Sequence, residues 1–145
     1  MTDREESFED LKNCALTPER EQELLNAQRE CVFSWTNKKG EAVGVIVSYF
    51  NHGGKIWMTC AESRARVSAI KRFPRASVCI TSSGTRLGTG KTITYKGDCI
   101  VHKDRETLDW FYPAFASDRR STPEGVDAYV PVSYTHLTLP TKRIV

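Results

Sequence analysis

The sequence has no continuous apolar run of the roughly 18 residues that a membrane-spanning helix needs. Its first residues are acidic and polar, so they lack the basic start and the apolar stretch of a secretory signal. None of the five cysteines stands in a Cys-x-x-Cys pair, and their odd number argues against a disulfide framework or a zinc site. We therefore expect a cytoplasmic protein with no membrane span and no metal ion.

A strong charge of one sign is also missing, because the 145 residues carry a net charge of only +3. The basic residues are spread evenly, which argues against a nucleic-acid partner. The histidines, His52, His102 and His136, lack the spacing of metal ligands, and each is expected to be structural or exposed. A chain of this length fits one domain that can bury a sizeable core.

The glycine-rich stretch from Gly84 to Thr92 ends in Gly-Lys-Thr, as a phosphate-binding P-loop does. The first glycine of a P-loop would fall at Thr85, whereas the glycine here is Gly84. A P-loop also opens a helix, but the residues that follow favour a strand. We expect a flexible connection between two strands, with a lid over a ligand as the alternative.

Local signals predict an alternation of helices and strands. Thr17 and Pro18 begin a helix, since one can cap it and the other suits the first helical position. Gly97 is expected to mark a bulge. The expected helices span residues 17–29, 63–72 and 105–115, and the expected strands span residues 31–36, 42–50, 55–60, 76–82 and 91–102. This is an α+β plan whose sheet avoids exposed edges most simply by curling into a barrel.

The segment from Trp57 to Arg66 carries the most informative pattern. A strand ends there, and Ser63 is expected to cap a helix whose first turn contains Arg64 and Arg66. Cations at a helix N-terminus oppose the helix dipole, so their presence favours an anion site. Two solvated surface arginines are the alternative.

Residues 56–80 resemble the core signature of the pyridoxamine-phosphate-oxidase-like family of FMN-binding split barrels. That signature is an aromatic–x–Thr strand end, a serine with basic residues at a helix start, and a Pro-Arg pair before an apolar strand. The matching residues here are Trp57, Thr59, Ser63, Arg64, Arg66 and Phe73-Pro74-Arg75. The resemblance covers residues 16–116 and implies an antiparallel split β-barrel with short flanking helices.

The resemblance also implies a flavin-dependent oxidoreductase that binds FMN at a homodimer interface and acts on a small-molecule substrate. Ser63, Arg64 and Arg66 fall where the family grips the flavin phosphate, and Trp57, Met58 and Thr59 fall beside the isoalloxazine ring. A deazaflavin coenzyme is the alternative cofactor, and a non-catalytic flavin- or haem-binding protein is the alternative function. No residue is assigned as catalytic, because the flavin carries the hydride chemistry.

The chain departs from the oxidase pattern in two places. Ala65 separates Arg64 from Arg66, whereas the oxidase has Ser-Arg-Lys in succession, so either arginine could make the main phosphate contact. The oxidase's substrate-binding Arg-x-His has no match, which argues against pyridoxamine phosphate as the substrate. Four aromatic residues are expected to be exposed and favour a homodimer: Trp57, Trp110, Phe111 and Tyr112. For Trp110 and Phe111, packing in the core is the alternative to a dimer contact.

The last 13 residues, 133–145, resemble a translated sequencing-adapter read-through. We therefore divide the chain into an N-terminal extension, residues 1–16, a flavin-binding domain, residues 17–132, and a non-native tail, residues 133–145. The alternative for the tail is a genuine last strand that ends before Pro140.

Overall fold

Two antiparallel four-stranded sheets and three helices build the fold in the computed structural model, which describes residues 15–61 and 63–119 and the backbone of residues 134–140. In chain order the elements are α1 (Pro18–Ala27), β1 (Glu30–Thr36), β2 (Ala42–Ser48), β3 (Phe50–His52), β4 (Lys55–Ala61), α2 (Ala65–Arg72), β5 (Arg75–Thr81), β6 (Thr92–Asp98), β7 (Ile100–His102), α3 (Arg105–Arg119) and β8 (Tyr134–Pro140). The first sheet has the order β2-β1-β5-β6, and the second has the order β3-β4-β8-β7. The predicted α+β split barrel is confirmed.

The first helix begins as the sequence predicts. The Thr17 side chain accepts a hydrogen bond from the Arg20 backbone N–H at 3.3 Å, and Pro18 takes the first helical position. The helix ends at Ala27, two residues earlier than expected, because Gln28 is extended and its side-chain amide donates to the Thr81 carbonyl at 2.7 Å. α1 is thereby fixed to the end of β5.

Two strands that the sequence predicts as continuous are each broken where the chain passes from one sheet to the other. Tyr49 separates β2 from β3, and Cys99 separates β6 from β7. The expected bulge at Gly97 is wrong, because Gly97 pairs in regular register with Ala76. At Tyr49 the prediction failed because β-forming residues continue through the break. At Cys99 the preceding Gly97 and Asp98 disfavour a strand, and the sequence analysis interpreted that signal as a bulge within one strand.

The core consists of two clusters on opposite faces of β4. Its inward side chains, Ile56, Met58 and Cys60, join the main cluster inside the barrel. Trp57 on the other face packs with residues of α3, among them Phe111. Alternation along one strand therefore supplies both clusters.

The expected exposure of four aromatic residues is wrong for three of them. Trp57, Phe111 and Tyr112 are buried and pack within the chain, and Trp110 is half-buried against the same cluster. The helical spacing of α3 points these side chains onto the second sheet. In the part of the chain that the structure describes, no helix is long and apolar enough to cross a membrane.

Strand β8 lies between β4 and β7. Its backbone pairs with β4 over seven residues and with β7 over three. These residues belong to the segment that the sequence analysis assigns to a non-native tail. That assignment stays a prediction, as does the N-terminal extension, of which residues 1–14 lie outside the described residues.

Shortening the chain tests the role of β8. If residues 134–140 pack as described, a chain that ends at Val132 should melt more than about 10 °C below the full chain. Each paired backbone group contributes about 1 kcal/mol, and each kcal/mol shifts the Tm of such a domain by about 2–4 °C. A chain that ends at Pro140 is the control and should melt like the full chain. An unchanged Tm for the shorter chain would instead support a non-native tail.

Candidate functional site

The six residues that the sequence assigns to the cofactor lie along β4 and the start of α2. Trp57, Met58 and Thr59 are on the strand, Ser63 and Arg64 are in the turn, and Arg66 is in the first turn of the helix. Residue 62 lies outside the described residues. Because the segment is short, the fold keeps all six near one end of the second sheet.

The strand residues differ in how much side chain they present to a ligand. Met58 is 2% exposed and faces the main core, so only its backbone is placed to contact a ligand on the other face. Trp57 is 6% exposed, and its ring packs against Trp110 and His102 at centroid distances of 4.8 and 4.9 Å. Thr59 is half-buried on the same face as Trp57.

The expected capping role of Ser63 is wrong. Helix α2 begins at Ala65, so Arg64 occupies the N-cap position, and its side chain forms no capping hydrogen bond. The Arg64 backbone N–H donates to the Ala61 carbonyl at 3.0 Å, which joins the helix start to the end of β4. Ser63 remains exposed in the turn, where its hydroxyl is accessible.

The two arginines at this helix end differ from other arginines of the chain. Neither Arg64 nor Arg66 forms an ion pair with a residue that the structure describes. The first turn of α2 contains no acidic residue, whereas its last turn contains two basic ones. By contrast, four arginines elsewhere pair with carboxylates: Arg20 with Glu23, Arg75 with Asp98, Arg86 with Glu23, and Arg105 with Asp109. The start of α2 is thus a positively charged, solvent-accessible helix end.

The structure adds a residue that the sequence analysis did not assign to the site. The Nε2 atom of His102 is buried and has no hydrogen-bond partner, and the same is true of Thr59 Oγ1. Thr59 and His102 are both paired with residue 136 of β8, so they lie at the same level of the second sheet. Buried polar atoms are usually hydrogen-bonded, so an unsatisfied one on each side of β8 indicates a place for a polar group or a water molecule.

Burial and nearby charges together set the protonation state of His102. Burial lowers the pKa of His102, and the Lys55 ammonium adds to that effect, while Asp104 opposes it. Asp104 lies 3.8 Å from His102 Nδ1 and caps α3 by accepting hydrogen bonds from Thr107 at 2.9 and 2.7 Å. These bonds from Thr107 lower the pKa of Asp104. The imidazole therefore favours its neutral form beside a carboxylate that stays charged. No local pattern predicts this state of His102, because its environment comes from the pairing of β7 with β8 and from packing against Trp57.

The glycine-rich loop does not form a P-loop. It joins β5 to β6, and β6 begins at Thr92, so no helix follows the loop. The Lys91 ammonium donates to the Leu87 carbonyl within the loop at 3.0 Å, and Arg86 pairs with Glu23 of α1 at 3.5 Å. The expected connection between two strands is confirmed. Among the described residues, no group of His, Cys, Asp and Glu side chains is arranged to hold a metal ion.

Comparisons with known proteins agree on the fold. No protein-family model and no curated protein matches the sequence. Among solved structures, a conserved hypothetical protein from Mycobacterium tuberculosis superposes with a TM-score of 0.74 at 15% identity, over 89% of this chain and 82% of that one. A candidate pyridoxamine 5'-phosphate oxidase from Listeria innocua superposes with a TM-score of 0.65 at 10% identity, over 86% and 93% of the two chains.

A third solved structure is an FAD- and haem-binding protein from Mycobacterium smegmatis. It superposes with a TM-score of 0.63 at 16% identity, over 88% of this chain and 68% of that one. At these identities the likeness shows the fold alone. The chain has the same split-barrel fold as these three proteins.

The low pKa of His102 gives a testable pH dependence. A buried imidazole with a lowered pKa binds its proton less readily than in the unfolded chain, so stability should fall as the pH drops below about 6.5. His102→Gln removes this titration, and its free energy of unfolding should therefore fall less between pH 7.5 and pH 5. Urea unfolding at several pH values measures the difference. Equal pH slopes for the two proteins would contradict the assignment.

Proposed function

We propose that the chain is a flavin-dependent oxidoreductase that binds the phosphate of FMN, or of a deazaflavin coenzyme, at the start of α2. The observation that carries the proposal is the pair of arginines, Arg64 and Arg66, which form no ion pair with a described residue. They lie at a helix start whose first turn has no acidic residue and whose N-cap makes no side-chain hydrogen bond. Positive side chains at the positive end of a helix dipole are unfavourable unless an anion is bound there. A bound phosphate would pair with both arginines and accept hydrogen bonds from the free N–H groups.

A comparison with the start of helix α1 supports this proposal. At the start of α1, Thr17 caps the helix and Glu19 follows one residue after Pro18. The corresponding positions of α2 hold Arg64 and Arg66. The chain itself thus caps the start of α1, whereas the start of α2 carries positive charge that suits an anion from outside the chain.

The residues around this helix end fit a flavin in chemistry as well as in charge. Bound flavin would supply hydride transfer, and the chain would bind and orient it. Ser63 presents an exposed hydroxyl beside the arginines, and Thr59 has a buried hydroxyl without a partner. We assign Ser63 to the phosphate and Thr59 to a polar edge of the ring system. Trp57 and Met58 would contribute backbone contacts and the rigidity of a buried strand.

A non-catalytic flavin- or haem-binding protein is the second candidate. It is favoured by the Mycobacterium smegmatis neighbour, whose name gives both FAD and haem. A reduction experiment distinguishes the two functions. The flavin of an oxidoreductase is bleached by NAD(P)H or another reductant and is reoxidised by a substrate. The visible spectrum of the purified protein, before and after adding a reductant, separates a catalytic flavin from a flavin that does not turn over and from haem.

The phosphate site can be tested by titrating FMN and the deazaflavin coenzyme. Arg64→Ala and Arg66→Ala should each weaken binding, because a hydrogen bond to a charged group contributes about 1.5–3 kcal/mol, or roughly ten- to a hundred-fold in Kd. Arg72→Ala, at the other end of α2, is the matched control and should bind normally. Losses under two-fold in both arginine variants would place the site elsewhere.

We also propose a homodimer with the cofactor at the subunit interface. Phosphate binding at α2 leaves the rest of a flavin exposed on one chain, and a second subunit would cover it. A ligand that contacts both subunits stabilises the dimer, so saturating FMN should lower the dimer dissociation constant. Sedimentation of nanomolar protein with and without FMN measures this. A monomer that binds FMN as tightly as the dimer would rule out the interface site.

A further inference from the structure

An open groove lies between the last turn of α2 and the start of β7, where the chain turns at Cys99 from the first sheet to the second. Its volume is about 430 Å³. It is lined by Ile70, Lys71, Cys99, Ile100, Val101 and Lys103. A volume of this size is within the roughly 300–1,000 Å³ of small-molecule sites.

The groove is apolar where it is deepest and at its wall. Ile70 and Cys99 are buried at 2% and 3% exposure and form part of the main core. Ile100 is 53% exposed, and Phe73, which follows α2, is 48% exposed. The Cys99 N–H donates to the carbonyl of Pro74 at 2.8 Å. This bond joins the residue before Ile100 to the residue after Phe73. Ile100, one of the three large hydrophobic side chains that are exposed among the described residues, therefore lines this groove.

The rim of the groove is positively charged. Lys71 and Lys103 contribute to the lining, and among the described residues of the lining none is acidic. An apolar floor with cations at the edge suits a molecule that combines an apolar body with an acidic group.

We propose that this groove binds a small organic anion, with its apolar body against Ile100 and its carboxylate, sulfonate or phosphate at the lysines. This site is separate from the proposed phosphate site. The groove is at the C-terminal turn of α2, and the eight-residue helix places the two about 12 Å apart. The two sites can therefore be tested independently.

A matched pair of fluorescent probes separates the two parts of the recognition. 8-Anilinonaphthalene-1-sulfonate carries a negative charge, and N-phenyl-1-naphthylamine has the same aromatic body without it. Ile100→Ser should weaken the binding of both probes about ten-fold, because it removes the exposed apolar wall. Lys103→Glu should weaken the sulfonate about ten-fold by replacing an exposed attraction with a repulsion, and it should leave the neutral probe unchanged.

The chain offers controls for both changes. Ile46→Ser removes the third exposed hydrophobic side chain, and Lys39→Glu reverses a charge in the β1–β2 turn. Neither should alter probe binding by more than two-fold. Decanoate should displace the sulfonate from the wild-type protein, and Arg64→Ala should bind both probes normally.

Several outcomes would overturn the proposal. One is an equal loss for Ile46→Ser and Ile100→Ser, which would mean general adhesion to hydrophobic surface. Another is an equal effect of Lys103→Glu on both probes. A third is a dimer of the wild-type protein that dissociates on Ile100→Ser substitution, since a second copy would then occupy the groove. FMN binding that survives while probe binding is lost would leave the proposed function intact.

Discussion

Two backbone hydrogen bonds at the sheet-to-sheet corners underlie the arrangement of the whole molecule. The N–H of Tyr49 donates to the Arg29 carbonyl at 3.1 Å, and the N–H of Cys99 donates to the Pro74 carbonyl at 2.8 Å. Both corner residues are almost fully buried, so a donor that joins neither sheet would be costly if left unpaired. In each case the acceptor lies in the connection that leaves a helix and enters the first sheet. The corners therefore fix the sheets and the helices relative to one another.

The two corner hydrogen bonds occupy equivalent positions in two similar halves of the chain. Helix α1 leads into β1, β2, a corner and β3, and helix α2 leads into β5, β6, a corner and β7. In the first sheet β1 and β5 are paired at the centre, with β2 and β6 outside them. The second sheet repeats the pattern with β4 and β8 at the centre. This correspondence makes the contrast between the two helix starts meaningful, because a neutral cap and an acid in α1, Thr17 and Glu19, correspond to two arginines in α2.

Features that depend on neighbouring residues could be predicted from the sequence, and features that depend on distant ones could not. The cap at Thr17 and the first-turn position of Arg66 follow from residues a few positions apart, and the structure has both. The breaks at Tyr49 and Cys99 depend on carbonyls about 20 residues away. The burial of Trp57 required the position of α3, and the unsatisfied nitrogen of His102 required the pairing of β7 with β8. The pattern around Arg64 and the position of Thr59 were therefore found, whereas His102 was missed.

The central position of β8 has a consequence for the synthesis of the protein. Its partners on β4 are separated from it by more than 70 residues, from Ala61 paired with Tyr134 to Lys55 paired with Pro140. The first sheet draws only on strands from Glu30 to Asp98, so it can assemble while the ribosome is still translating the remainder. The second sheet cannot close until residues 134–140 have emerged. Until then β4 and β7 present open edges, and an open strand edge can pair with another chain.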